Sequence, residues 1–391
     1  MILVWVVGLN AYTQDTLNEA VKKKWYDRFS IRGYVQMRYN RLLETNPNLQ
    51  CDQCDKSLGN NGGFFLRRAR VILSGQIHKR VNFYFQQDFA SSAGNLNYGQ
   101  VRDAYFDIGI DKKNEYRLRL GQSKVPYGFE NLQSSSMRLP LDRADATNSA
   151  FSNERDIGVA FYWAPDNVRE RFEMLVGEGY KGSGDYGVFG IGVFNGTPAN
   201  QPKANNQLHT VARLTYPFVV GSQMLEPSIQ AYTGNYTLTE DQLSPGVKIR
   251  NDATYRDQRI AASLILYPRP FGIQAEYNVG HGPEYNPVTD SIELKSLKGG
   301  YATLTYFIKI NKTHSIYPFI KYQYYDGGKK FERDARSYTV DQFELGVEWQ
   351  PLENFELVAM YSIAMRRYED MLNKNNTQQG NALRLQAQLN F

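Results

Sequence analysis

Residues Phe64–Phe89 read FFLRRARVILSGQIHKRVNFYFQQDF, and this stretch decides the fold. It forms two strands joined by a tight turn at His78-Lys79-Arg80. Side chains alternate across a strand with a period of two. On the first strand Ala69, Val71, Leu73, Gly75 and Ile77 share one face, opposite Arg68, Arg70, Ile72, Ser74 and Gln76. On the second, Val81, Phe83, Phe85 and Phe89 lie opposite Asn82, Tyr84, Gln86 and Asp88. A hairpin with one apolar and one charged face either covers a soluble core or stands between lipid and a water-filled lumen. Recurrence of the pattern along the chain separates the two.

The pattern recurs throughout. Phe29 to Asn40 alternates cleanly, with Ser30, Arg32, Tyr34, Gln36, Arg38 and Asn40 on the polar face. A long loop, 41–63, leads into the opening hairpin, and a polar loop is expected over Ala90 to Gly99. Further strands are expected over Gln100–Ile110, Tyr116–Gly121, Ile157–Trp163, Asp185–Asn195, Gln207–Phe218, Leu225–Tyr236, Tyr255–Tyr267 and Pro270–Gly280. Lys298–Ile310, His314–Tyr325, Thr339–Gln350, Asn354–Arg367 and Asn381–Phe391 complete the set. In Asn167–Gly184 the residues Val168, Phe172 and Leu175 stand at helical spacing, so this segment is not counted as a spanning strand. The total is about sixteen, an even number.

Short turns (HKR, DKKN, PRP, NKTH, PLEN) alternate with long polar loops from the first strand to the last. Sandwiches mix loop lengths through Greek-key crossovers. Short turns on one side and long loops on the other are the pattern of an outer-membrane β-barrel, with both termini on the short-turn, periplasmic side. The fold class is therefore all-β: a transmembrane antiparallel barrel. The last strand alternates Leu383, Leu385, Ala387 and Leu389 with Arg384, Gln386, Gln388 and Asn390, and ends on the aromatic Phe391. Such a tail resembles the one that barrel-assembly machinery recognises in bacterial outer-membrane proteins.

Composition agrees. A chain of 391 residues is either two or three soluble domains or one large barrel. Aromatic residues make up 14%, with 28 Tyr and 21 Phe, and mean hydropathy is −0.53. No apolar run reaches the roughly 18–20 residues of a membrane helix, which excludes a helical membrane protein. A barrel stays open, because its polar lumen face dilutes any hydropathy average. The net charge of +5 gives no argument for nucleic acid.

The start, MILVWVVGLNAYTQ, has an apolar core at Ile2 to Leu9, with Ala11 and Thr13 at the small-residue positions of a cleavage before Gln14. Residues 1–13 are read as a signal peptide whose basic region lies upstream, the alternative being a buried N-terminal strand. Residues 14–28 form a polar periplasmic lead, and 29–391 one barrel.

With the apolar faces in lipid, Arg32, Arg38, Arg68, Arg70, Arg117 and Arg119 turn inward near the start of the chain. Lys309, Lys321, Arg213, Arg259, Arg366 and Arg384 follow, and acids including Asp88, Asp103, Asp107, Glu344, Glu348 and Glu356 share the interior. Rings of Arg and Lys are how pores favour anions, and the guanidinium fork suits phosphate and carboxylate. The alternative is that these groups only solvate the lumen and pair with nearby acids. A loop from Val125 to Arg155 is long enough to require a purpose. It carries Arg138, Asp142, Arg143 and Asp145, with Lys124 at its start, and is expected to fold inward as a constriction; lying outside the barrel is the alternative. Each basic residue in it is accompanied by an acid, so no dense, unopposed arginine cluster is evident.

Several segments carry a family resemblance. GGFFLRRARVILSGQI (Gly62–Ile77), VRDAYFDIGI (Val101–Ile110), LRLGQSKVPYGFENLQSS (Leu118–Ser135), RDIGVAF (Arg155–Phe161) and VFNG (Val193–Gly196) resemble the phosphate-selective porin O and P family. The GQ-x-KVP-x-G segment is the most specific part. The resemblance implies a sixteen-stranded, usually trimeric outer-membrane channel whose inward loop and arginine ladder pass small anions, phosphate included. It places Arg68 and Arg70 on the arginine-bearing second strand and Lys124 at the start of the constriction loop.

Cys51 and Cys54 form CDQCD in the first long loop. They are half of a structural zinc site, without a second CxxC; in an exported protein a local disulfide is the expected state, with free thiols or an incidental metal as alternatives. The four histidines make no metal cluster, and no GxSxG-type nucleophile context appears, so neither metal nor enzyme is expected. The sequence thus predicts a passive outer-membrane diffusion channel for small hydrophilic solutes, preferring anions such as phosphate, without cofactor. Its expected partners are outer-membrane lipid and lipopolysaccharide, small anions, the assembly machinery through Phe391, and two further copies in a homotrimer, with no nucleic acid. A barrel whose loops bind a ligand or a surface, and a soluble secreted β-rich binding protein, are the alternatives.

Overall fold

The computed structural model describes residues 25–49, 51, 62–93, 96–250 and 252–391. The expected signal peptide, most of the polar lead and Cys54 lie outside the described residues. The strands are β1 (Phe29–Leu42), β2 (Phe64–His78), β3 (Val81–Ala93), β4 (Leu96–Gly109), β5 (Tyr116–Lys124) and β6 (Arg155–Trp163). They continue as β7 (Phe189–Phe194), β8 (His209–Thr215), β9 (Phe218–Val220), β10 (Gln223–Thr237), β11 (Thr254–Leu266) and β12 (Phe271–Asn286). Last come β13 (Ser291–Tyr306), β14 (Ile308–Lys309), β15 (Ser315–Gly328), β16 (Ser337–Leu352), β17 (Phe355–Glu369) and β18 (Thr377–Asn390).

Each strand pairs antiparallel with its neighbours in sequence order, and β1 pairs with both β2 and β18, so the sheet closes. The short β9 prolongs β8 against β10, and β14 prolongs β13 against β15. The wall therefore has sixteen staves. Closure removes every unpaired edge, which is what a strand bundle in hydrocarbon requires. The final residue completes the seam: Gly33 and Phe391 exchange backbone hydrogen bonds of 2.7 and 2.9 Å. The Phe391 ring lies where a side chain at position 33 would be, which explains a glycine there.

The period-two pattern sorts the faces as expected. Val71, Leu73, Phe85, Ile260, Leu345 and Ile363 point outward and are exposed, while Arg68, Arg70, Asp88, Arg259, Glu344 and Arg366 are buried in the interior. Burial of charge and exposure of large apolar side chains inverts a soluble protein and matches a wall facing lipid.

Two loop expectations are corrected. Ala90–Gly99 belongs largely to strand, because β3 runs to Ala93 and β4 starts at Leu96. The wall stave expected from Asp185 starts at Phe189, since the Asp185 carboxylate is drawn to Arg117 and Arg169 and Gly187 takes a left-handed φ of 75°. The β6–β7 connection, on the short-turn rim, is also far from short. It contains a helix, α3 (Asp166–Gly177), whose buried residues are the Val168, Phe172 and Leu175 that the spacing singled out.

The loop at 125–154 folds into the barrel and reaches nearly every wall. It holds two short helices, α1 (Phe129–Leu132) and α2 (Asp145–Asn148). Leu139 and Leu141 pack on Tyr317, Phe319, Val358 and Met360 of β15 and β17. Val125, Tyr127 and Phe151 pack on Tyr162, Val211 and Tyr232 across the lumen from them. Fully burying one such side chain contributes about 1.5–3 kcal/mol, so these contacts hold the loop as firmly as a small core.

Candidate functional site

Polar anchors fix the inward loop's register. The Glu276 carboxylate on β12 accepts hydrogen bonds from the backbone N–H of Phe129 (2.6 Å) and Glu130 (2.8 Å), the otherwise unpaired donors at the start of α1. Lys321 on β15 pairs with Glu130 at 2.7 Å. Arg259 on β11 donates to Ser149 Oγ at 2.6 Å, and Gln36 on β1 donates to the Ser135 carbonyl at 2.9 Å. Asp142 gathers Arg38 (3.1 Å), Arg384 and Arg67 (3.9 Å) from β1, β18 and β2. Burial alone would raise its carboxyl, but Arg384, Arg38 and Arg67 hold it well below the usual carboxylate range.

A second insertion fills the other half of the lumen at the short-turn rim. After α3 the chain crosses from Lys181, paired with Glu348 of β16 at 2.5 Å, to Asp185, paired with Arg117 at 2.6 Å. Tyr317 of β15 donates to the Gly179 carbonyl at 3.2 Å.

Toward the long loops, beside the inward loop, lies a cavity of about 440 Å³. Arg67, Arg68, Arg70, Arg102, Arg138, Arg143 and Lys329 line it, with Asp88, Asp142, Glu154, Asp241 and Glu332 as the acids among them. Arg70 is paired with Asp88 at 2.7 Å, Arg143 with Glu154 at 2.8 Å, and Arg102 approaches Glu154 at 3.8 Å. Arg68 differs: it donates to the neutral Gln36 at 2.8 Å, and its nearest charges are Arg67, Arg70, Arg38 and Arg138. Arg138 leaves its Nε and one Nη without a hydrogen-bond partner. Neither has a carboxylate at ion-pairing distance among the described residues.

The other basic residues singled out from sequence are distributed as follows. Arg38 is buried on Asp142, the Leu141 carbonyl and Gln386. Lys124 donates to the carbonyls of Leu132 and Gln133 at 2.7 and 2.8 Å, tying down the loop's first helix. Arg117 holds the second insertion through Asp185, and Arg119 is paired with Asp107 at 2.8 Å. Arg32 is exposed to the lumen near the short-turn rim. Cys51 takes part in a disulfide bond.

Alternation missed Arg67 and Arg102. Gln36 pairs with Arg68 and Met37 with Leu66, skipping Arg67; Gln86 pairs with Asp103 and Gln87 with Val101, skipping Arg102. Both are β-bulges, which insert one residue and turn an extra side chain toward the same face. No pattern of apolar and polar residues marks them in advance.

A closed sixteen-stave wall, apolar outside and charged within, with a loop folded into the lumen, defines an outer-membrane porin. The sequence profile of the phosphate-selective porin O and P family matches residues 48–391, and the chain belongs to that family. It is an outer-membrane channel protein. Among solved structures it is similar to the outer membrane channel DcaP of Acinetobacter baumannii, at 15% identity and a TM-score of 0.59, over 93% of this chain and 97% of that one. The trimer form of OmpT of Vibrio cholerae (9% identity, TM-score 0.55) and an anion-selective porin from Comamonas acidovorans (10%, 0.53) each align over 93% of this chain and 99% of theirs. No protein of curated function matches the sequence.

Proposed function

We propose that this porin is a passive diffusion channel that prefers small anions, phosphate among them. The observation that supports the reading is the pair Arg68 and Arg138, two buried guanidinium groups on one cavity without a carboxylate at ion-pairing distance among the described residues. Arg67, Arg70, Arg102, Arg143 and Lys329 surround them, so seven basic groups outnumber the five acids that line the cavity and its field is positive. An anion there exchanges part of its hydration shell for guanidinium donors, and weak successive sites along the β1–β5 side let it leave. The gradient drives transport, with no cofactor and no covalent step.

The family and the anion-selective relative favour the same reading. In the membrane the apolar band would meet lipid, the loop rim lipopolysaccharide, and two further copies would complete a homotrimer. The last strand, ending on Phe391, would engage the assembly machinery. The test is the reversal potential of the purified protein in a planar bilayer under a potassium chloride gradient. A shift toward the chloride equilibrium potential, with added phosphate blocking the current, is expected. A potential near zero would leave a general diffusion channel, and absent conductance would favour a barrel whose loops bind a ligand.

A further inference from the structure

Below the arginine cavity, the β1–β5 side carries a column of flat groups that the anion reading does not use. Tyr84 on β3 and Tyr105 on β4 are directly opposed across the ladder, and their rings stack at 5.2 Å with 13° between planes. The outer face of Tyr105 is covered by Arg119, 4.0 Å from the ring centre. Arg119 is itself enclosed by Tyr162 and Tyr186 and neutralised by Asp107. The outer face of Tyr84 looks toward Arg32, whose guanidinium stands 6.0 Å from the ring centre.

The two ends of this column are therefore unlike. Arg119 is buried and paired; Arg32 is exposed and makes no hydrogen bond or ion pair among the described residues. A flat ring sandwiched between two others needs about 7 Å between its neighbours, two stacking distances of about 3.5 Å. Arg32 has to withdraw by only about 1 Å to admit one, and no hydrogen bond or ion pair among the described residues holds it in place. The column also lies on the route from the cavity: Tyr34 on β1, which accepts a hydrogen bond from Arg70, is two residues from Arg32, or about 7 Å along the strand.

We infer that Tyr84 and Arg32 form a second binding step, selective for planar aromatic anions such as aromatic carboxylates, on the periplasmic side of the arginine cavity. The ring stacks on Tyr84 and the carboxylate pairs with Arg32. The inference rests on the lumen's anion preference for delivery, and it adds a discrimination by shape that a positive field alone does not supply.

Benzoate and cyclohexanecarboxylate, equal in charge and close in size, separate the two effects. In planar bilayers, benzoate should block the potassium chloride current at about threefold to tenfold lower concentration than cyclohexanecarboxylate, the range that an aromatic contact adds beyond simple burial. Tyr84→Leu should abolish that difference, Tyr84→Phe should retain it, and Arg32→Gln should weaken block by both acids. Calorimetric titration of the detergent-solubilised barrel with benzoate, wild type against Tyr84→Leu, gives the same comparison without conduction. Equal potency of the two acids on the wild type, or a benzoate preference that survives Tyr84→Leu, overturns the inference. The reversal potential under a potassium chloride gradient, read in the same bilayers, reports separately on the anion preference.

Discussion

Replacing both Arg68 and Arg138 by Gln should remove most of the anion preference while leaving the barrel intact. A unit charge about 4 Å from a permeating ion contributes about 1 kcal/mol in a water-like medium and about 4 kcal/mol at an effective dielectric constant of about 20. At the lower figure, and counting only the lost attraction for the anion, Arg68→Gln reduces the anion-to-cation permeability ratio by at least about fivefold, and the double variant by at least about thirtyfold. At about 0.1 M salt the Debye length is about 10 Å, so screening does not erase the effect. Stability should hardly change. Arg68 loses one hydrogen bond to the neutral Gln36, worth about 1 kcal/mol, and its removal relieves repulsion from Arg67, Arg70 and Arg138. Arg70→Gln is the contrasting control. It breaks the 2.7 Å pair with Asp88, a buried interaction whose loss costs about 3–5 kcal/mol, and bares a carboxylate on the same cavity. Reversal potentials in planar bilayers read selectivity, and heat-modifiable gel migration reads folding. A folded, conducting double variant with a permeability ratio within about twofold of wild type refutes the field argument.

Three further outcomes follow from particular contacts. Asp142→Asn should raise anion selectivity, because it removes one negative charge beside Arg38, Arg384 and Arg67, and should also loosen the inward loop, seen as added flicker in single-channel records. Lys321→Met leaves Glu130 buried and unpaired at the start of α1, so its thermal transition should fall by the equivalent of about 3–5 kcal/mol, and an unchanged transition would show that the pair does not hold the loop. Lys330, in the β15–β16 connection, is pushed by burial down to about 8 against the attraction of Asp257. Its folded value lies below the unfolded one of about 10.4, so the unfolded chain binds more protons between them and stability rises with pH across that window. The thermal stability of wild type relative to Lys330→Met should therefore increase from about pH 8 to about pH 10, and a flat difference would contradict the assignment.

The wall was legible in the sequence because a surface with lipid on one side and water on the other imposes period-two alternation on every stave. Val168, Phe172 and Leu175 were equally legible, since a helix lying on the barrel's inner wall buries one face at its own period. The second insertion was not. Its crossing depends on Lys181 meeting Glu348, 167 residues away, and neither residue is unusual in its local setting. Arg67 and Arg102 were hidden for a different reason. Strict alternation assigns them to the lipid face, and only an extra residue in each strand brings them round.

The inward loop shows why reading charge from neighbours in sequence fails here. Arg138, Asp142, Arg143 and Asp145 look self-neutralising, yet the structure separates them. Asp142 is taken by Arg38 and Arg384 from the barrel seam, and Asp145 by Lys329 of the β15–β16 connection and Arg366 of β17. Arg143 turns to Glu154. What the loop leaves in the cavity is Arg138 with no carboxylate at ion-pairing distance among the described residues, beside Arg68, which has none either. The loop's acids thus serve as fasteners to the wall, and the same bonds that hold the loop across the lumen leave its remaining charge positive. Anchoring and selectivity are then one arrangement. A substitution that frees an acid from the wall should alter the current's sign preference as well as its noise.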